Sequence, residues 1–310
     1  MNFLLIFGGL ILLILGGNWL LKSAVALSLK LEIPKIIIGM TVVSLATSAP
    51  ELIVSINAAL NNSSDLALGN VIGSNVANLG FVLGVTLLFG KIEVQHGFYK
   101  VDWPIMIIAS SLLFFFLKSG KVITQIEGII LFTFLVLFLI YLLKFQKKAV
   151  IDEMPEDDEL LPSIKIFTYL VVGGLGLWGG SELLIKGATN LALDFGVTER
   201  VIAVTVVSVG TSIPELAASL IAIIKKEKAI SLGNLVGSNI FNILAVLGIT
   251  SIITPIPVVD ERLLSNDIFW MLGISFLILP LVFIPKGLRL NWKDGIILLT
   301  CYGFFIYQTL

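Results

Sequence analysis

The chain has 310 residues, 57% hydrophobic and 13% charged, with a net charge of −1 and a mean hydropathy of +1.04. Soluble globular domains carry roughly 25% charged residues, so an ordinary soluble domain is excluded, and the net charge gives no footprint for nucleic-acid binding. The lone Cys301 excludes an intramolecular disulfide.

Apolar runs recur along the whole chain, and a bilayer crossing takes about 20 residues. The first, Phe3 to Leu21, carries no charge. No Lys or Arg precedes it and no small-residue cleavage site follows it, so it reads as a span and not as a signal peptide. Ten spans are predicted: 2–22, 34–60, 66–90, 102–118, 124–143, 165–186, 198–224, 229–255, 267–285 and 294–310. Lys and Arg concentrate in cytoplasmic loops. One set of alternating loops holds 15 of the 20, and the other holds only Lys118, Lys121, Lys186, Arg200 and Arg262. With an even span count, both termini face outward and the loop between the fifth and sixth spans faces the cytoplasm.

The fold class is therefore all-α and multi-pass, in the cell membrane. A first transmembrane repeat covers 1–145, an acidic cytoplasmic linker 146–163 and a second repeat 164–310. The bilayer is the expected partner, with no nucleic acid and no obligate protein partner. The linker contains Asp152, Glu153, Glu156, Asp157, Asp158 and Glu159. It lacks the Gly and the ligand spacing of an EF-hand loop. It reads as a solvated connection between halves, with a weak Ca2+ sensor as the alternative. Glu182, near the outer end of the sixth span, reads as a snorkelling end residue, not a gate.

Shifted by 164 residues, the sequence matches itself without gaps. Residues 41–51, TVVSLATSAPE, match 205–215, TVVSVGTSIPE, at eight of 11 positions. Residues 69–84, GNVIGSNVANLGFVLG, match 233–248, GNLVGSNIFNILAVLG, at nine of 16. Five spans per half is an odd number, so the second copy enters the membrane from the opposite side. Inverted repeats of this kind are frequent in secondary transporters, whose site lies at the midplane between the copies. A duplicated packing module is the competing reading, since Gly69 and Gly73, or Gly233 and Gly237, have close-packing spacing. It leaves the polar residues of both segments unexplained.

Glu51 and Glu215 fall near the middle of apolar spans, where an ionisable side chain is expensive and marks a functional site by default. Each follows a proline. Pro50 cannot donate to the Ala46 carbonyl, so the helix must open around Thr47 and Ser48; Pro214 does the same around Thr211 and Ser212. Freed carbonyls at membrane depth are tolerated only when buried in protein or lining a cavity, and a bound cation is one partner for them. Ser44, Thr47, Ser48, Glu51 and Ser55 form an oxygen-bearing stripe at helical spacing. Ser55 and Ser219 are expected to bond their own helix backbone. The next span of each half places Asn70, Ser74 and Asn78, or Asn234, Ser238 and Asn242, on one face. Asn70 and Asn234 read equally well as interhelical pegs. Gly73 and Gly237 keep that face close to its neighbour. The donors are hard oxygens, and the only histidine, His96, is in a loop. Such donors suit Ca2+, Mg2+ or alkali cations and not softer metals.

The paired TSxPE and GNxxGSN segments resemble the alpha-repeats of the sodium/calcium exchanger family, within the cation/Ca2+ exchanger superfamily, across both halves of the chain. The short linker resembles the prokaryotic type, which lacks a large regulatory loop. The resemblance implies a ten-helix fold with facing repeats and an antiporter of Na+ and Ca2+. It implies no enzyme and no cofactor, the two ions being cargo. Carried over by position, it implies Glu51 and Glu215 as central carboxylates. Thr47, Thr211, Ser44 and Ser208 would offer carbonyls; Ser48, Ser74, Ser212 and Ser238 would offer hydroxyls; Asn78 would offer an amide oxygen. Asn242 departs from the pattern. Sodium/calcium exchangers typically have an acid there, and potassium-dependent ones have acids at both this position and that of Asn78. The departure bears on stoichiometry and coupling ion, and Asn242 stays among the candidate ligands.

An empty site would hold two uncompensated charges, which costs several kcal/mol per ion in low dielectric. The empty carrier should then switch sides poorly and the loaded one readily, which makes exchange obligatory. Three rivals differ. A proton-coupled Ca2+ exchanger of the superfamily would show a Gly-Asn-x-x-Glu type motif instead of TSxPE. An intramembrane hydrolase would need a base beside Ser or a paired Asp motif within the spans. A channel would need a continuous path.

Overall fold

The structure, a computed structural model, describes residues 2–145, 161–195, 210–284 and 287–309. Ser208 and the acidic run at 152–159 lie outside the described residues. The helices in chain order are α1 (Asn2–Leu31), α2 (Lys35–Thr47), α3 (Ala49–Leu60), α4 (Ser64–Phe89), α5 (Phe98–Gly120), α6 (Gln125–Phe145), α7 (Ser163–Asp194), α8 (Ile213–Ile224), α9 (Lys228–Ile253), α10 (Leu263–Phe283) and α11 (Trp292–Thr309). Among the described residues, seven helices are long and apolar enough to cross a membrane, or eight if α2 and α3 count as one bent span. The first predicted span ends at Lys22, whereas α1 continues to Leu31. Ser23–Lys30 contains neither Gly nor Pro, so nothing in it stops a helix.

α4 and α9, which carry the GNxxGSN segments, are the most buried spans, at 78% and 83% of their apolar windows. The peripheral helices expose Phe3, Phe7, Phe115, Ile126, Phe167 and Phe304. This exposure pattern is the reverse of a soluble domain and fits a lipid-facing rim.

Two packing features give helix directions. α1 and α7 touch backbone to backbone through glycines. A Cβ on Gly9 would lie 2.7 Å from Gly180 O, one on Gly16 2.7 Å from Leu177 N, and one on Gly187 3.0 Å from Asn2 O. The residue numbers of touching positions rise along α1 as they fall along α7, so the pair is antiparallel, with its close approach permitted by small residues. Four short strands, β1 (Ile92–Glu93), β2 (Val122–Ile123), β3 (Ile256–Pro257) and β4 (Arg289–Leu290), make two antiparallel pairs, β1 with β4 and β2 with β3. α5 runs from β1 to β2 and α10 from β3 to β4, so these two helices are also antiparallel.

Polar ties join the halves at both ends. Lys35 pairs with Glu227 at 2.9 Å, largely shielded from solvent. At the other end the Asp65 carboxylate accepts the N–H groups of Val259 and Asp260 at 2.8 and 2.9 Å, and Lys121 pairs with Glu261.

Candidate functional site

The helix breaks where the sequence requires it. α2 ends at Thr47, Ser48 adopts φ −88°, ψ 4°, and α3 departs at 45°. Pro50 sits in the first turn of α3 without an N–H to give back. Ser48 N–H reaches Ser44 O at 2.8 Å and Leu52 N–H reaches Ser48 O at 3.2 Å. α8 begins the same way, with Ser212 at φ −89°, ψ 5° and Leu216 N–H reaching Ser212 O at 3.0 Å. Glu51 and Glu215 thus lie in the first turns of α3 and α8, where exposed N–H groups and the helix dipole favour negative charge.

The two breaks are clasped to opposite halves by equivalent pairs. Thr47 Oγ1 lies 3.3 Å from Ser238 Oγ, and Thr211 Oγ1 lies 3.4 Å from Ser74 Oγ. Thr47 Oγ1 also donates to Asn234 Oδ1 at 3.2 Å. Ser44 Oγ lies 2.9 Å from Asn234 O and from Gly39 O, fastening α2 to α9. Its carbonyl accepts Ser48 N–H at 2.8 Å and has the Thr47 hydroxyl 3.4 Å away as a second donor. Ser48 Oγ approaches Glu215 Oε1 at 3.5 Å, so a hydroxyl of one half faces the carboxylate of the other. Glu215 therefore faces the break that leads into Glu51.

Both glutamates are fully buried, yet among the described residues several oxygens on the surrounding segments lack hydrogen-bond partners: both of Glu51, Oε2 of Glu215, Oγ of Ser212, and Oδ1 of Asn78 and of Asn242. Buried polar atoms are nearly always paired, and an unpaired one costs about 1–3 kcal/mol. A group of orphaned hard-oxygen acceptors at a helix break has the chemistry that suits a hard cation. Among the described residues there is no cluster of three or more His, Cys, Asp or Glu side chains. The charged groups in this buried region are the two glutamates, and the other unpartnered oxygens are neutral.

Asn78 and Asn242 each open a π-helical turn, Asn78–Val82 and Asn242–Leu247. Such turns widen the helix and re-aim side chains, frequently at functional sites. The 242–247 turn packs on α3 and the 78–82 turn on α8, so each amide sits on a segment touching a glutamate-bearing helix of the other half. Asn70 and Asn234 donate to Ser55 Oγ and Ser219 Oγ at 3.0 and 3.3 Å, the pegs that their positions allow. Ser55 and Ser219 are consequently acceptors from a neighbouring helix. Intrahelical bonding was the expectation; the described contacts of these hydroxyls are instead with the asparagine amides, which the packing of the next helix brings within reach. Gly237 does pack closely, 2.6 Å from Met40 Cα if given a Cβ, whereas nothing described lies within 4 Å of such an atom on Gly73. Glu182 is exposed on α7, one turn before exposed Lys186, as a snorkelling residue would be.

The sequence reading passed over Asn75 and Asn239. Asn75 Nδ2 donates to Asn239 O at 3.2 Å, and Asn242 Nδ2 donates to Asn75 Oδ1 at 3.1 Å. The signal was available, because both asparagines recur in the GSN of the duplicated segment.

A buried pair of carboxylates ringed by hydroxyls and amides, at broken helices in a lipid-facing bundle, defines a membrane carrier of small cations. The sodium/calcium exchanger protein family matches residues 1–144 and 165–310. The chain is 37% identical to CaxA of Alkalimonas amylolytica over 96% of this chain and 95% of that protein. It is 29% identical to the sodium/calcium exchanger MaX1 of Methanosarcina acetivorans over 98% and 97%. A solved structure of the sodium-calcium exchanger NCX_Mj, soaked with 2.5 mM Na+ and 0.1 mM Ca2+, superposes with a TM-score of 0.84 at 25% identity, covering 100% of this chain and 98% of that one. The chain belongs to the sodium/calcium exchanger family. It is a membrane antiporter of the Na+/Ca2+ exchanger superfamily, not an enzyme.

Proposed function

We propose that this protein exchanges Na+ for Ca2+ by alternating access, with Glu51 and Glu215 sharing the cation between two inverted five-helix repeats of a ten-helix fold. The carrying observation is that Glu215 faces Ser48, on the break that leads into Glu51, with both glutamates buried amid unpartnered oxygens of the described residues. Two carboxylates balance one Ca2+ or partly balance several Na+. Emptying the site leaves two charges in low dielectric, so the loaded carrier switches sides and the empty one does not. Thr47 and Thr211 contribute carbonyls at the breaks, and the family resemblance assigns carbonyls to Ser44 and Ser208 by position. Ser48, Ser74, Ser212 and Ser238 contribute hydroxyls, and Asn78 and Asn242 amide oxygens.

The antiparallel course of α1 against α7, and of α5 against α10, supports the inverted topology, since each pair joins equivalent positions of the repeat. The Lys and Arg distribution supports a cell-membrane protein with both termini outside and residues 145–163 in the cytoplasm. With an inward Na+ gradient, Ca2+ is driven out. The test is Ca2+ uptake into proteoliposomes under either an outward Na+ gradient or a pH gradient alone. Uptake should follow Na+; uptake that follows only pH would favour the proton-coupled reading.

A further inference from the structure

The orientation of Asn242 is fixed by a chain of acceptors that begins on the backbone. Asn75 has one end of its amide 3.2 Å from Asn239 O and 3.8 Å from Met271 Sδ. A carbonyl oxygen only accepts, so that end is the amide nitrogen. Asn75 Oδ1 therefore faces the other way, toward Asn242. Since Oδ1 cannot donate, Asn242 must present Nδ2 to it, and the two stand 3.1 Å apart. The carbonyl oxygen of Asn242 is then turned away from Asn75. It is fully buried, has no donor, and sits on the turn packed against α3, which carries Glu51.

The repeat-related place has no such chain. Asn239 gives its amide hydrogen to Leu235 O of its own helix at 2.9 Å, and its Oδ1 receives none. Both polar atoms of Asn78 stand without partners.

We infer that Asn75 is a positioning residue that locks Asn242 with its carbonyl oxygen presented to the transported cation, and that position 242 therefore requires a hydrogen-bond donor. An ionised carboxylate at 242 would set acceptor against acceptor at Asn75 Oδ1. This inference rests on the exchange site proposed above, but its test is separable from it. Ca2+ dissociation constants of the purified full chain are measured for wild type, Asn75→Ala, Asn242→Ala and the double variant. Asn75→Ala should weaken Ca2+ binding roughly five- to tenfold, the loss of one hydrogen bond's ordering. In the Asn242→Ala background the same change should alter binding less than about twofold, because its target is gone. An equal loss in both backgrounds, or no loss in either, would overturn the inference and leave Asn75 a packing residue. If Asn75→Ala does not fold, Asn75→Ser, whose hydroxyl is too short to reach Asn242, enters the same cycle and is read the same way. Failure of Na+-driven flux by the wild type, with the cycle still coupled, would retire Na+ coupling and leave the positioning role standing.

Discussion

The two repeats grip their helix breaks with matching contacts and present their central groups differently. Thr47 with Ser238 mirrors Thr211 with Ser74, and Asn70 with Ser55 mirrors Asn234 with Ser219. At the centre, Glu215 has Ser48 of the other half beside it while neither oxygen of Glu51 has a partner. Asn242 is held by Asn75, while among the described residues the Asn78 amide has no hydrogen-bond partner. Contacts shared by both halves are scaffold, needed wherever a helix is broken. The differences fall on the groups assigned to the cation, which one set of ligands must surround without twofold symmetry of its own.

The largest effect is expected where the charge lies. Glu51→Gln and Glu215→Gln should each lower Na+-driven Ca2+ flux by about 100-fold or more, since one carboxylate cannot compensate a divalent ion in low dielectric. Folding should survive, because an amide is neutral and similar in shape. Robust flux by either purified variant, measured in proteoliposomes, would remove that glutamate from the site.

The scaffold contacts should behave alike in both halves. Ser55→Ala and Ser219→Ala each remove the acceptor of one amide hydrogen, from half-buried Asn70 and from buried Asn234, and should destabilise by about 1–2 kcal/mol. Thermal unfolding midpoints that fall together support the symmetric assignment; a fall in one variant alone would break it.

Asn242 and Asn78 should separate in the same assay, done without Na+ or Ca2+. Asn242→Ala strands Asn75 Oδ1 and should cost about 1–2 kcal/mol, whereas Asn78→Ala removes a group already unpaired and should cost less than about 0.5 kcal/mol. Equal midpoints for the two variants would contradict the difference between the central amides.

The smallest expected effect is that of K+. Asn78 and Asn242 carry no charge, so a Ca2+-loaded pair of glutamates is already near neutral, and adding K+ would leave a net positive charge in low dielectric. Flux should change less than about twofold when choline replaces K+ on both sides at zero membrane potential. Loss of flux restored by K+ would show that the amides do not exclude a second cation.

Most of the site was legible in the sequence because its chemistry is written in local exceptions. A glutamate in an apolar span, a proline one residue before it, and a second copy 164 residues on are each visible in the sequence itself. The break at Ser48 follows from Pro50 alone. What was not legible depends on which side chain reaches which helix. Ser55 and Ser219 could satisfy themselves within their own turns, and only the placement of α4 and α9 brings an asparagine amide to them. Asn75 lies off the Asn70–Ser74–Asn78 face, so helical spacing passed over it, although its repetition in both GSN segments marked it. Helix ends were the least legible. Lys22 looked like a boundary, but a cation at the membrane surface does not end a helix whose next eight residues contain no breaker.

The central claim, that Glu51 and Glu215 jointly hold the transported cation, is tested most directly by Ca2+ binding to the purified chain. Equilibrium titration should find one Ca2+ per wild-type chain, displaced by Na+, and no measurable binding by Glu51→Gln, Glu215→Gln or the double variant. Wild-type affinity and Na+ competition retained in either single variant would contradict it.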